Sequence, residues 1–242
     1  PTPIVCGPGG SIYVANTGGA EGRALSRQID HMQIDGKYIR AIGNGDYMWP
    51  EGLALDDNEN LYLSDAYANC ILVYDRDGKH TSSWGEKGSA EGQIQRPAGI
   101  AVNGDGNILV VDSGNHRVQT FSPDGVFIAT WGAQGSGDGE LDQPWGIHVD
   151  RDGDIYVADW GNDRVQKFGP GGGFLRRFGS TFDDGGTLHR PSDVAVDSDG
   201  DVYVVDWGNN RVQIYDTEGD IITGLYGDAT DFSRAAMEMF DA

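Results

Sequence analysis

The chain repeats itself every 47 residues, and that interval restricts its fold more than any single residue does. Pro50, Pro97, Pro144 and Pro191 fall in register, as do Asp65, Asp112, Asp159 and Asp206, and Gly78, Gly125, Gly172 and Gly219. Segments 108–119, 155–166 and 202–213 are near copies: each runs through three or four apolar residues to Asp, then to Gly-Asn, and closes on Arg-Val-Gln. A fixed period of this length implies a solenoid, a propeller or an array, in which each repeat is one supersecondary unit buried by its neighbours.

One repeat is enough to choose among these. From Pro144, a short strand over 146–150 turns through Asp150-Arg-Asp-Gly-Asp154 into a second strand at Ile155. That strand is apolar on both alternating faces, so both faces must be covered. A loop over 159–163 leads to a third strand from Arg164 to Phe168, and a turn over 169–173 leads to an outer strand from Phe174 to Phe178. Gly106, Gly153 and Gly200 mark the first hairpin, and Gly78, Gly125, Gly172 and Gly219 the last, where positive φ is needed. Four-stranded meanders stacked around an axis make a β-propeller, and no helical pattern interrupts the repeats.

These residues carry a family resemblance. Arg-Pro-x-Gly-Ile-Ala-Val, then Gly-Asn-Ile-x-Val-x-Asp-x-Gly-Asn-x-Arg-Val-Gln, then Trp-Gly, resembles the NHL repeat over residues 50–227. Residues 1–49 resemble a degenerate first copy, with a long loop after Asn16 running to about Arg27. The resemblance implies an all-β propeller with blades at about 1–49, 50–96, 97–143, 144–190 and 191–227. Five copies are visible, whereas NHL propellers usually have six blades. The chain is therefore expected to be five-sixths of a six-bladed ring, with a closed five-bladed ring as the competing arrangement. Residues 228–242 read as a short amphipathic helical segment. A start at Pro1, with no Met or signal peptide, leads us to expect a processed form or a fragment.

Composition narrows the partners. Asp and Glu outnumber Lys and Arg by 38 to 17, giving a formal charge of -21. A field of that sign repels nucleic acid and anionic membranes. The basic face that RNA-binding NHL proteins of the animal tripartite-motif type present is not visible. No segment is long and apolar enough to span a bilayer, so membrane insertion is not expected. Cys6 and Cys70 lack metal-ligand spacing, and Cys6 occupies a core position of the repeat, so a free buried thiol is expected.

Most conspicuous polar residues belong to the repeat. The sets Asp112/Asn115/Arg117, Asp159/Asn162/Arg164 and Asp206/Asn209/Arg211 are expected to satisfy turn amides and bridge to carboxylates, because a catalytic set would not be copied in every blade. The copy at Asp65 breaks the pattern, with Ala68 and Cys70 in the Asn and Arg positions. The runs 150–154 and 197–201 hint at calcium but lack the spacing and closing Glu of a calcium loop; no cofactor is expected beyond weak calcium uptake. The related peptidyl-hydroxyglycine lyases hold zinc with histidines that follow the blade-opening prolines. The matching positions here are Glu51, Ala98, Trp145 and Ser192, so that site does not carry over.

What remains is the set that breaks the repeat. Trp160 and Trp207 share one loop position, Tyr67 lies near it in an earlier copy, and Trp145 follows a blade-opening proline. These four form a candidate binding rim, since the loops between second and third strands share one face with the blade connections; packing between blades is the competing role of Trp160 and Trp207. Glu51 and His148 are candidate channel residues, while Trp84 and Trp131, which close outer strands, are expected to be structural. The leading expectation is a non-catalytic scaffold that binds a protein, peptide or glycan through this face, as part of a larger assembly or of a ring completed by a missing blade. The alternative is a metal-dependent hydrolase or lyase with its site in the channel.

Overall fold

The computed structural model describes residues 3–16, 27–179 and 187–227. These form five four-stranded antiparallel sheets, each a simple meander, arranged as the blades of a β-propeller ring. The blades span residues 4–42, 50–84, 97–131, 147–178 and 191–226, close to the repeat boundaries. The expected C-terminal helical segment 228–242 and residues 17–26 of the long loop lie outside the described residues.

In the third blade the strands are Pro97–Val102, Ile108–Asp112, Arg117–Phe121 and Phe127–Trp131, from the axis outward. The second strand carries the core, as its two-sided apolar character predicts. Ile108 and Val110 face back into a cluster with Ala54, Tyr62, Ile71 and Val73 of the second blade, while Leu109 and Val111 face forward into a cluster with Ile147, Ile155, Val157 and Phe168 of the fourth. Each interface is thus a slab of interleaved side chains from two sheets.

The same strand shows which blades have neighbours on both sides. In the second, third and fourth blades all five of its residues are buried. In the fifth, Tyr203 is half-buried and Val205 exposed, though Val202, Val204 and Asp206 are buried. In the first, Ile12 and Val14 are half-buried between buried neighbours. The half-open faces are the forward face of the fifth blade and the backward face of the first.

Tryptophan and glycine lock adjacent blades at the outer edge. Trp84 packs on Phe121 with ring centroids 4.9 Å apart, and Trp131 on Phe168 at 4.5 Å. A side chain at Gly125 would meet Trp84 at 2.3 Å and one at Gly172 would meet Trp131 at 2.3 Å, while both glycines hold φ near +80°. Glycine is therefore required twice over, by backbone sign and by space. Both tryptophans are structural.

One expectation fails. Cys6 is exposed, not buried, because it ends the innermost strand of a blade whose backward face is open. Cys70 is half-buried and also free.

Candidate functional site

In the fourth blade the buried Asp159 carboxylate accepts hydrogen bonds from Asp142 N–H (2.7 Å), Asn162 Nδ2 (2.9 Å), Arg164 Nε (2.8 Å) and Gln166 Nε2 (3.1 Å). Arg164 also donates to the carbonyls of Ser136, Gly137 and Glu140 in the incoming connection. Burial pushes the Asp159 carboxyl up, and these donors pull it back. The arrangement recurs at Asp112 with Arg117 (2.8 Å) and at Asp206 with Arg211 (2.7 Å). Each set ties the second strand, its loop and the incoming connection together, so these residues are framework.

A second tie joins successive blades. Asn69, His116 and Asp163 end the loop in left-handed conformation, with φ of 57°, 57° and 55°. Their side chains accept the backbone N–H of Arg96 (3.0 Å), Gln143 (3.1 Å) and Arg190 (2.7 Å), each just before a blade-opening proline.

The second blade departs from this frame. Among the described residues the Asp65 carboxylate accepts only main-chain donors, from Met48 (2.7 Å), Trp49 (3.1 Å), Tyr67 (3.0 Å) and Ala68 (3.1 Å). Cys70 stands where the arginine belongs; burial, then the charge of Asp65, pushes its thiol up to about 11, so it is a poor nucleophile. Met48, Trp49 and Tyr67, all anchored on one carboxylate, expose 49%, 58% and 67% of their surfaces.

Beside this patch lies the mouth of the channel. Glu51, Ala98 and Trp145 converge there with Ala66, Ser113 and Arg96 around a small cleft. Trp145 Nε1 donates to Glu51 Oε2 at 3.1 Å, a bond between the second and fourth blades. Burial pushes the Glu51 carboxyl above the usual carboxylate range, while the charge of the N-terminal ammonium, then the indole N–H groups of Trp145 and Trp49 and the Arg96 charge, pull it back.

The other sequence candidates divide. Trp160 is half-buried, 6.0 Å from the Trp145 ring, with the Arg190 guanidinium 4.9 Å above it. Trp207, its copy one blade on, is 58% exposed. Ala66 and Ser113 occupy this same loop position in the cleft wall, so one repeat position surrounds the mouth with two small residues and two tryptophans. His148 lies on the innermost strand Ile147–Val149, but in the register of Ala54 and Ala101, which pack towards the following blade. Burial lowers its pKa. Among the described residues no three His, Cys, Asp or Glu side chains gather as a metal-binding group.

Sequence reasoning placed Tyr67 on the rim but missed the Arg190–Trp160 stack and the exposed Met48 that shares the Asp65 carboxylate with Tyr67. The loss of arginine at Cys70 was the available signal for the second.

The comparisons with known proteins agree with this architecture. The model of the NHL repeat matches residues 95–121, 141–168 and 188–215, the strands and loops that carry the Asp clamps. The chain is an NHL-repeat β-propeller. No curated protein matches the sequence. Solved structures resemble this NHL propeller at low identity. A Bacteroides caccae protein of unknown function has a TM-score of 0.71 and 17% identity, over 95% of this chain and 82% of that one. A chain of a nidogen/laminin complex has 0.69 and 20%, over 93% and 79%. Streptogramin B lyase has 0.68 and 13%, over 93% and 68%. These likenesses speak to the fold alone. Among the described residues of this propeller no helix is long and apolar enough to cross a membrane.

Proposed function

We propose that this NHL propeller is a non-catalytic scaffold that recognises a protein, peptide or glycan through its loop-bearing face, with Tyr67, Trp145, Trp160 and Trp207 on the binding rim. The observation that carries this reading is the contrast within the rim. The repeated Asp–Asn–Arg sets are sealed by their own hydrogen bonds, whereas Tyr67 and Trp207 leave most of their rings open to solvent. Exposed Trp and Tyr beside a cleft are the residues most often found at the energetic centre of interfaces. A nidogen/laminin complex among the neighbours gives a precedent of the same fold in protein recognition.

The half-open faces of Val205 in the last blade and Ile12 in the first support a further element of this reading: a sixth blade completes the ring, on this chain or on a partner. The alternative function, a metal-dependent hydrolase or lyase using Glu51 and His148 in the channel, draws on the fold shared with streptogramin B lyase. The blade-interface register of His148 counts against it.

Joint Trp160→Ala and Trp207→Ala substitution tests the scaffold reading. Immobilised protein should capture its partner from its native source, and the double variant should lose at least tenfold in captured amount at equal loading. Unchanged capture removes the rim assignment.

A further inference from the structure

Two residues after the blade-opening prolines stand Gly52, Gly99 and Gly146, and then Asp193. The three glycines are buried, each with the next blade's innermost strand against it. A Cβ on Gly52 would lie 2.8 Å from the Ala98 carbonyl oxygen, one on Gly99 2.6 Å from that of Trp145, and one on Gly146 2.9 Å from that of Ser192. Gly99 N–H also donates to the Trp145 carbonyl at 2.8 Å. A regular junction thus presses a backbone carbonyl onto a position with no room for a side chain. Asp193 breaks that rule on the forward face of the fifth blade, the face left open among the described residues. It is exposed, as is Ala195, and Leu225 is 55% exposed where its fourth-blade counterpart Phe178 is 2%. Among the described residues the Asp193 carboxylate accepts one hydrogen bond, from Val194 N–H at 2.9 Å, and it lies against Gly146. Burial against these strands pushes its carboxyl up to about 6.

Resting on the reading that a sixth blade completes the ring, we propose that this blade is not a further regular copy of the repeat. Its innermost strand stands off from Asp193 and fills the gap with an arginine or lysine paired to that carboxylate. A regular strand would drive its carbonyl oxygen into the Asp193 side chain, where overlap is compounded by repulsion between two negative oxygens. A neutral strand that merely stood off would seal in a carboxylate with a single N–H donor, and an uncompensated buried charge is strongly destabilising. A basic side chain occupies the space and supplies the charge, and the formal charge of -21 favours a basic arrival. Asp193 is thus a specificity residue, admitting one kind of closing blade and turning away a copy of its own neighbours.

The probe is the full chain fused at Ala242 to a second copy of residues 144–178, the fourth blade, so that residues 227–242 serve as a connection longer than 132–143. One fusion is regular. The other carries Trp145→Arg in the fused copy, at the residue whose carbonyl meets Gly99 in the third blade. Seating is read as resistance of the fused copy to limited proteolysis. On the parent, the arginine fusion should resist about tenfold better than the regular one, the worth of a charge-assisted hydrogen bond. Asp193→Gly should reverse that order, because the regular copy then meets the glycine it requires. Asp193→Asn keeps the volume, removes the charge and should cost the arginine fusion about tenfold. Without a fusion, both variants should keep the circular dichroism of the parent, which shows the fifth blade intact. Equal protection of the regular copy on the parent and on Asp193→Gly overturns the inference, since a side chain there would be no obstacle. An arginine fusion no better protected than the regular one on the parent, or indifferent to Asp193→Asn, overturns the ion pair. If neither copy seats even on Asp193→Gly, the sixth-blade reading falls and this inference falls with it.

Discussion

The second and fourth blades carry the same loop at the same rim and use it in opposite ways. In the fourth, Asp159 is enclosed by Asn162, Arg164 and Gln166, and Arg164 is itself spent on three carbonyls of the incoming connection. In the second, Asp65 holds four backbone amides and no side-chain donor among the described residues, with Cys70 in the arginine position. The amide bonds alone suffice to fix the backbone of the loop. What the arginine adds is a neutralised carboxylate and a rim with nothing left to offer. Its absence leaves the second blade with negative charge and with exposed Met48, Trp49 and Tyr67. In a repeat protein, then, the blade that has lost its framework residue is where a specific surface can arise.

The largest expected effect breaks that comparison directly. Arg164→Met leaves Asp159 buried with its charge uncompensated, which costs about 3–5 kcal/mol. Cys70→Ser, at the same repeat position, removes no ion pair and should stay within about 1 kcal/mol of the parent. Urea denaturation of both variants measures the difference. Comparable losses would mean that the clamp is not what distinguishes the two blades.

A second contrast, between blades with and without a preceding neighbour among the described residues, sharpens the picture. Gly36 and Gly125 occupy the same last hairpin in the first and third blades, with φ of +85° and +80°. A side chain at Gly125 would strike Trp84 at 2.3 Å, whereas nothing lies within 4 Å of one at Gly36. Gly36→Ala should therefore cost only the backbone term, about 1–2 kcal/mol. Gly125→Ala adds overpacking of about 1–3 kcal/mol. Equal midpoints for the two variants would show that the backward face of the first blade is covered as fully as that of the third.

The blades were legible in the sequence because a 47-residue period and a two-sided apolar strand can be satisfied in very few ways. The clamps were legible too, since residues copied in the third, fourth and fifth blades answer to geometry that those blades share. The rim was only partly so. Trp160 and Trp207 stand in nearly the same sequence context, yet one is stacked under Arg190 and the other is open. That difference depends on which blade follows, and a local motif does not carry it. Cys6 misled for the same reason: its register is that of a core residue, but the face behind it is open. His148 looked like a channel residue from its strand, whereas its register with Ala54 and Ala101 turns it towards the next blade.

The smallest expected effect concerns the two desolvated groups, Glu51 at the mouth and His148 at the blade interface, whose pH signatures have opposite sign. Burial raises the Glu51 pKa, so between the usual carboxylate value and its raised value the native state holds a proton that the unfolded chain has released. Stability from this group is complete below the usual carboxylate range and falls as pH rises through the raised value. Burial lowers the His148 pKa, so below the usual histidine range the unfolded chain binds the extra proton and stability rises with pH. Asp159 is also raised and carries the sign of Glu51, so the total curve does not identify either group. The difference between the parent and Glu51→Gln does. Urea midpoints measured from the usual carboxylate range up to neutrality should show a parent that loses stability relative to Glu51→Gln as pH rises, levelling once the carboxyl is fully ionised. A constant difference across that range would mean that the Glu51 carboxylate is as well solvated in the fold as out of it, and the mouth of the second blade would then lose the feature that sets it apart from the fourth.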